Sequence, residues 1–575
     1  MLAGYKDTLA LTAISSAFIC AHPVLAGSPI AVLGAILPMA GGAYLSLRKT
    51  TEWLNKVDAN KREDFILKSD KWDGEFTGVK GIRIGYTKDE NLPLDIRNDF
   101  LMRHSAIIGQ SGVGKTVLGE YILYQQAIRG GGWIFIDAKI DKDTRNKLYY
   151  MMKMLGREDD FYVLNVDDPD NSNTYNPILN GDPDEVSSRL LNLLPSAENN
   201  PGADYYRQAA NYALTVITGA LKAAKLRYHF SDLAIMLQSG AAMSQLERLV
   251  PAGPEKRVLQ IFLDQFKKKS KEGIQINTDR LKEVLGGMSG RIALFAQGKF
   301  GKVFNTYTPE IDLTDIIRGQ KFLYVMLPTM GKDVAALNLG KMILSDLRTA
   351  VYNLQNLSSK DRPNPPFLVF ADEMGAYVMQ GIARLFEQAR SAGVAMIPAF
   401  QAFSQLNMVS PDFADIIIQN TWNKFFFKFS SKESPELAAE IIGKHKVHTW
   451  SLSVGESQSS SAQTLRATPE SAAGSGGNVG ESWREVEEYR ITPDQLKSLG
   501  IGECIAMSGP RIYHIKVSKL EFPKEIPDFE VCRHHGAIPK GEKGLYFEEK
   551  YREFLTDAGD TQELDNQKLA ELNES

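Results

Sequence analysis

Short apolar runs and helix-length amphipathic stretches alternate along most of this chain. Ser105–Ile108, Trp133–Ile136 and Phe161–Val166 are apolar runs of strand length; a second set follows at Phe322–Leu327, Phe367–Ala371, Val394–Ala399 and Lys424–Phe429. Uninterrupted apolar runs separated by helical segments predict a parallel sheet buried on both faces, which is α/β architecture. Between the two sets, Asp184–Leu194, Tyr205–Ala224 and Lys256–Phe266 carry apolar residues at helical spacing, and strand-like runs are missing. The expected division is a discontinuous α/β domain over residues 96–180 and 301–530, with an all-helical domain, 181–300, inserted into it.

The two ends differ from this body. From Thr8 to Leu47 there is no Asp, Glu, Lys or Arg. A helix needs roughly 20 residues to cross the hydrocarbon core, so this stretch suits a hairpin of two spans, Leu9–Leu25 and Pro29–Leu47, within a membrane anchor over 1–50. Arg48, Lys49, Lys56, Lys61 and Arg62 follow at once, which puts that flank in the cytoplasm. A cleaved signal peptide is the competing reading, because Val24–Gly27 resembles a cleavage site. The weak charged region, with Lys6 beside Asp7, opposes it. Residues 51–95 read as a linker and the start of the globular body. Trp450–Ser482 is rich in Ser and Gly and reads as a flexible excursion rather than a packed element. Residues 531–575 form a C-terminal segment whose end is acidic (Asp557, Asp560, Glu563, Asp565, Glu571, Glu574), the composition of a disordered tail or a docking segment for an accessory protein.

Composition narrows the partners. At 575 residues and a formal net charge of −4, the chain is not basic overall, so contact with nucleic acid must be confined to a patch or a pore lining. Lys267, Lys268, Lys269 and Lys271 form the one dense basic run in the insertion; it is either a solvated helix end or a contact to a phosphate backbone. Cys20, Cys504 and Cys532 are too far apart for a disulfide framework, and Cys532 with His534 and His535 lacks a fourth metal ligand.

One segment carries explicit chemistry. Gly109-Gln110-Ser111-Gly112-Val113-Gly114-Lys115-Thr116 matches G-x-x-x-x-G-K-[ST] between an apolar run and a helical pattern, Val117–Ile128. Its glycines let backbone N–H groups close on a phosphate at a helix N-terminus. Lys115 would reach the β- and γ-phosphates of ATP, and Thr116 would offer its hydroxyl to Mg²⁺. The second acid comes from Asp372 and Glu373, which follow the apolar run Phe367–Ala371 at the strand end where ligands of open α/β sheets bind. Asp372 would hold Mg²⁺ and Glu373 would polarise the attacking water. Gln401, just after Val394–Ala399 and Phe400, can sense a γ-phosphate. Arg384 and Arg390 are candidates for an arginine finger offered to a neighbouring subunit. Asp137-Ala138-Lys139 ends another run and either lines the site or pairs locally.

In their order and spacing these features resemble the coupling proteins of type IV secretion and conjugation, the TraD/TraG-type ATPases related to the FtsK and HerA translocases. The resemblance runs from the N-terminal spans to about residue 520. It includes Tyr175-Asn176-Pro177-Ile178, Ala389-Arg390-x-x-Gly393, Gln405-Leu406 and Ile491–Leu496. Asp137-Ala-Lys139 departs from the family's Asp-Pro-Lys-Gly. The resemblance implies a RecA-like P-loop NTPase domain with an inserted helical domain, a homo-hexameric ring at the bacterial inner membrane with its bulk in the cytoplasm, and docking on a secretion channel. It makes Arg390 the better finger and Gln401 the sensor. The implied activity is ATP-driven recruitment of relaxase-bound single-stranded DNA; the alternative is a receptor ATPase for protein effectors. A general FtsK/HerA-type DNA translocase fits less well, because the anchor is compact and the helical insertion is present.

Overall fold

The computed structural model describes residues 81–194, 201–270, 273–329, 333–408, 410, 413–456, 477–547 and 549–550. The expected membrane hairpin, most of the linker, Lys271 and the acidic tail lie outside the described residues. Among those described, no helix is long and apolar enough to cross a membrane.

The apolar runs become the strands of one 11-stranded sheet, ordered β2-β1-β16-β15-β12-β3-β11-β10-β4-β9-β5. In chain order these are β1 (Gly81–Thr87), β2 (Pro93–Arg97), β3 (Ser105–Ile108), β4 (Trp133–Asp137), β5 (Phe161–Asn165), β9 (Phe322–Met326), β10 (Phe367–Ala371), β11 (Val394–Phe400), β12 (Asn423–Phe426), β15 (Glu503–Ser508) and β16 (Arg511–Val517). The remaining strands, β6 to β8, β13, β14 and β17, lie outside this sheet. From β12 across to β5 all neighbours run parallel. Every residue of β3, β4, β5, β9, β10 and β11 is buried. Trp133 and Phe135 pack into one core while Ile134 and Ile136 pack into another, as alternation across a doubly covered sheet requires. The remaining edge is antiparallel: β1 and β2 join through β16, so the globular body is under way from Gly81.

Helix α1 (Lys115–Ile128) follows β3, and α2 (Lys142–Met154) follows β4. The insertion contains α3 (Pro183–Leu191), α4 (Pro201–Ala223), α5 (Phe230–Met236), α6 (Gly240–Leu249), α7 (Pro254–Asp264), α8 (Thr278–Ala296) and α9 (Gly298–Phe304). Helix α3 starts on a capping box between Asp182 and Glu185, with Pro183 in the first turn. The insertion is not purely helical, contrary to expectation. Lys267–Ser270 (β7) pairs antiparallel with Gly273–Ile276 (β8), so the lysine run is a hairpin strand and not a helix end. Lys267, Lys268 and Lys269 are exposed there, so the strand keeps its charges in water.

A second correction concerns Trp450–Ser482. Its ends belong to a long antiparallel ladder, β13 (Lys444–Glu456) with β14 (Gly477–Tyr489), in register from Lys444 opposite Tyr489 to Glu456 opposite Gly477. An antiparallel ribbon need not cover a core, so its polar composition conceals the strands. Residues 457–476 lie outside the described residues.

A buried polar hub joins the insertion to the sheet. Arg189 on α3 lies 3.0 Å from Asp346 on α10 (Asp333–Gln355) and donates to Thr349 Oγ1 at 2.9 Å and to the carbonyl of Pro177. Tyr175 donates its hydroxyl to Asp346 at 2.6 Å, and Asn176 donates to the carbonyls of Tyr228 and Thr306. The Tyr-Asn-Pro-Ile segment is thus the seat of the insertion. The C-terminal segment straps the two parts from outside. Phe529 fills a cluster with Tyr149 and Phe161, His534 stacks on Tyr162, and Lys543–Gly544 (β17) pairs with Leu226–Arg227 (β6) of the insertion. Glu310 accepts from the backbone N–H of Thr174 and of His534, at 2.8 and 2.7 Å.

Two tests follow from this packing. Removing one member of a buried ion pair strands the other, at about 3–5 kcal/mol; Asp346→Ala is expected to destabilise the protein by that amount in urea unfolding, and a loss below 1 kcal/mol would show that the hub is dispensable. His104 is buried, with its Nε2 2.7 Å from the Phe386 carbonyl and its Nδ1 accepting from Met396 N. Burial pushes its pKa down from 6.5 to about 4. Its contribution is therefore complete above pH 6.5 and is lost as pH falls through that window, by up to about 3 kcal/mol. Stability measured from pH 7 to 4 should fall less steeply in His104→Asn than in the parent chain; parallel curves would refute the assignment.

Candidate nucleotide site

Four neighbouring strands, β3, β11, β10 and β4, end side by side, and each delivers its first polar residues at the same edge. Gly109–Thr116 leaves β3 and enters α1 with Gly114 (φ 109°) at the N-cap and no side chain capping it, so the first-turn amides point free toward an anion. Gly109 must be glycine for a different reason: a Cβ there would meet the Cβ of Phe427 at 2.5 Å. Val113 O accepts from Gly502 N at 2.9 Å and Gln110 N donates to Lys428 O at 3.0 Å, which ties the loop to neighbouring segments.

Lys115 folds back over the loop and donates to the carbonyls of Gly109 (2.7 Å) and Gln110 (2.8 Å). Burial lowers its pKa, opposed by the charges of Asp372 and Glu373. Thr116 Oγ1 donates to Asp372 Oδ2 at 2.7 Å, joining the loop to the end of β10. Burial raises the Asp372 pKa, opposed by Thr116, Lys115 and Lys139. This hydroxyl and carboxylate are hard oxygen donors of the kind Mg²⁺ takes beside phosphates. Glu373 sits in a left-handed backbone conformation (φ 49°), which turns the chain sharply after β10. Gln401 donates from Nε2 to Glu373 Oε1 at 3.2 Å, and its own N–H is held by Gln405 Oε1 at 2.9 Å.

The structure therefore brings Lys115, Thr116, Asp372, Glu373 and Gln401 together, with Ser111, Gly112 and Val113 completing the loop. It does not bring Arg390 there. Arg390 is exposed at the C-terminus of α11 (Ala383–Ala389), ahead of the first residue of β11. Seven strand residues separate it from Gln401, roughly 20 Å at strand rise. Arg390 is thus remote from the phosphate loop of its own chain. Lys267, Lys268 and Lys269 are likewise remote, on β7, where Lys267 pairs with Asp264 at 2.7 Å.

Three residues escaped the sequence-level roles. Lys139 Nζ lies 2.7 Å from Glu373 Oε1. Burial lowers its pKa, and Glu373, Asp372 and Asp137 outweigh that and raise it. Tyr324 donates to Asp137 at 3.0 Å; burial and then the charge of Asp372 push the Asp137 carboxyl up to about 7. Tyr377 donates to the Asp372 carbonyl at 3.0 Å. Only Lys139 left a trace in the sequence, in Asp137-Ala-Lys139.

This arrangement has relatives. Residues 366–499 match the family described as the TraM recognition site of TraD and TraG. The type 4 coupling protein DotL of Legionella pneumophila subsp. pneumophila (strain Philadelphia 1) is 25% identical over 385 residues, covering 58% of this chain and 48% of DotL. Both matches are to type IV coupling proteins, which the chain resembles over these stretches. The aligned part spans about half the length of that curated relative. In fold, the chain is similar to the plasmid coupling protein TrwB solved with ADP and Mg²⁺ (16% identity, 80% of this chain, 94% of that one, TM-score 0.52). It is similar also to TrwB with an ATP analogue (15%, 78% and 96%, TM-score 0.52). The RecA-like α/β fold is common to both.

Asp372→Ala is expected to raise the Mg²⁺ concentration for half-maximal nucleotide binding by about 10- to 100-fold, read by titrating Mg²⁺ at fixed fluorescent nucleotide. An unchanged midpoint would remove Asp372 from the metal's surroundings.

Proposed function

We propose that this chain is a type IV coupling protein, an ATPase motor that feeds a type IV secretion channel. The observation that carries this reading is the convergence of Lys115, Thr116, Asp372, Glu373 and Gln401 at adjacent strand ends. Lys115 and the loop amides would hold the phosphates, and Thr116 and Asp372 the Mg²⁺ that screens them. Glu373 would take the proton of the attacking water, with Gln401 fixing its carboxylate. TrwB, of the same fold, has been solved with ADP and Mg²⁺, which supports this assignment. Arg390, exposed and distant from its own loop, suits an arginine finger given to a neighbour in a homo-hexamer, so hydrolysis would depend on ring assembly. The uncharged segment 8–47 would anchor the ring in the bacterial inner membrane, with the body in the cytoplasm.

Relaxase-bound single-stranded DNA is the cargo we favour, supported by the match to a region described as the TraM recognition site, with Lys267–Lys269 on an exposed hairpin as the backbone contact. Protein effectors are the second reading. The acidic tail favours it, because a negative segment repels DNA and attracts a basic accessory protein.

Lys115→Ala or Glu373→Gln should reduce ATP turnover by about 10²-fold or more without loss of folding, as followed by phosphate release and circular dichroism. Turnover kept in Lys115→Ala would refute the site. Single-stranded DNA should stimulate the parent chain; if it does not, while a partner is captured through 557–575, the DNA reading gives way to the effector reading.

A further inference from the structure

The carboxylate assigned to water activation is already engaged. Glu373 Oε1 is shared by the Lys139 ammonium at 2.7 Å and by Gln401 Nε2 at 3.2 Å. The root of Lys139 is fixed: its N–H donates to Asp137 Oδ1 at 3.0 Å, and the Ala138 carbonyl beside it accepts from Thr329 Oγ1 at 2.6 Å. Its side chain is 51% exposed and that of Glu373 is 22% exposed, so the charged end is free to turn while the base is pinned. Lys115, the other cation, is buried against its own loop and lies close enough that the positive charge of Lys139 adds to burial in lowering its pKa.

We propose that Lys139 is a positioning residue shared between two anions: it holds Glu373 in the pairing described, and it moves to the terminal phosphate of a bound nucleoside triphosphate, freeing Glu373 for water. This rests on the ATPase reading above. Charge sets the direction. A half-exposed ion pair contributes little and is easily broken. A terminal phosphate carries more negative charge than a carboxylate, and attraction scales with charge. A diphosphate lacks that group, so Lys139 stays on Glu373. The lysine would therefore supply preference for triphosphate over diphosphate and keep the base restrained until the triphosphate is in place, while Gln401 retains its bond to Glu373 throughout.

The test is binding, not turnover. Affinities of full-length protein for ADP and for a non-hydrolysable ATP analogue are measured with Mg²⁺ in the parent chain, Lys139→Gln, Lys139→Arg, Glu373→Gln and the Lys139→Gln/Glu373→Gln double variant. Loss of one charge-assisted contact predicts that Lys139→Gln loses about tenfold of its preference for the analogue, with ADP affinity little changed, and that Lys139→Arg keeps most of it. Glu373→Gln should bind the analogue more tightly, because its competitor for Lys139 is gone, and this gain should vanish in the double variant. Unchanged preference in Lys139→Gln, an equal loss in Lys139→Arg, or a gain that persists in the double variant would each overturn the proposal. Failure of the ATPase reading is distinguishable: the parent chain would then bind neither nucleotide, or Lys115→Ala would bind both as well as the parent.

Discussion

A sheet buried on both faces leaves its strands no place for a charged side chain except at their ends. In β3, β10 and β11 every residue is buried, and polar chemistry begins with the loop after Ile108, with Asp372 after Ala371 and with Gln401 after Phe400. Asp137 closes β4 in the same way. The order β3-β11-β10-β4 then sets four strand ends in a row about 15 Å wide at ordinary strand spacing, a width suited to a chain of phosphates with its metal and water. The site is thus a by-product of how the core excludes charge, and its members come from segments scattered over some 290 residues of sequence because parallel neighbours need long crossovers.

The same rule makes the Arg189–Asp346 pair conspicuous, since it places two charges where the core otherwise forbids them. Apolar residues of equal volume would often hold such a joint as well. What ions add is direction: guanidinium, carboxylate, Tyr175 hydroxyl and Thr349 hydroxyl meet in one geometry only. Helix α10 carries Asp346 and begins a few residues after Thr329, which bonds the carbonyl next to Lys139. One stiff element therefore borders the nucleotide site at one end and seats the helical insertion along its length.

Much of this was legible in the sequence, for reasons that differ by element. The parallel strands could be read because burial on both faces writes an unbroken apolar run, and the phosphate loop because its glycines and lysine act locally. Glu373 and Gln401 were readable by position after a strand. The β13–β14 ladder was not, because a ribbon without a core to cover needs no apolar face. The lysine strand β7, read as either a solvated helix end or a phosphate-backbone contact, showed no strand pattern for the same reason. Lys139 could be read as lining the site or pairing locally, but its partner lies 234 positions away and only the alignment of β4 with β10 reveals it. The C-terminal strap was opaque too: Phe529 and His534 find their rings in Phe161 and Tyr162, contacts with no periodic signature.

The central strand β3 also has a history on the ribosome. Both of its sheet neighbours, β11 and β12, come later, starting at Val394 and Asn423. At about 5–20 residues per second, the roughly 290 residues from Ile108 to Val394 take roughly 15–60 s to synthesise. Throughout that interval an apolar strand and its glycine loop have emerged with no partner on either side. β4, by contrast, meets β9 and β10 sooner. A nascent chain of this protein therefore carries an unpaired strand edge throughout that interval, and the nucleotide-binding loop is made long before the strands that lock it in place.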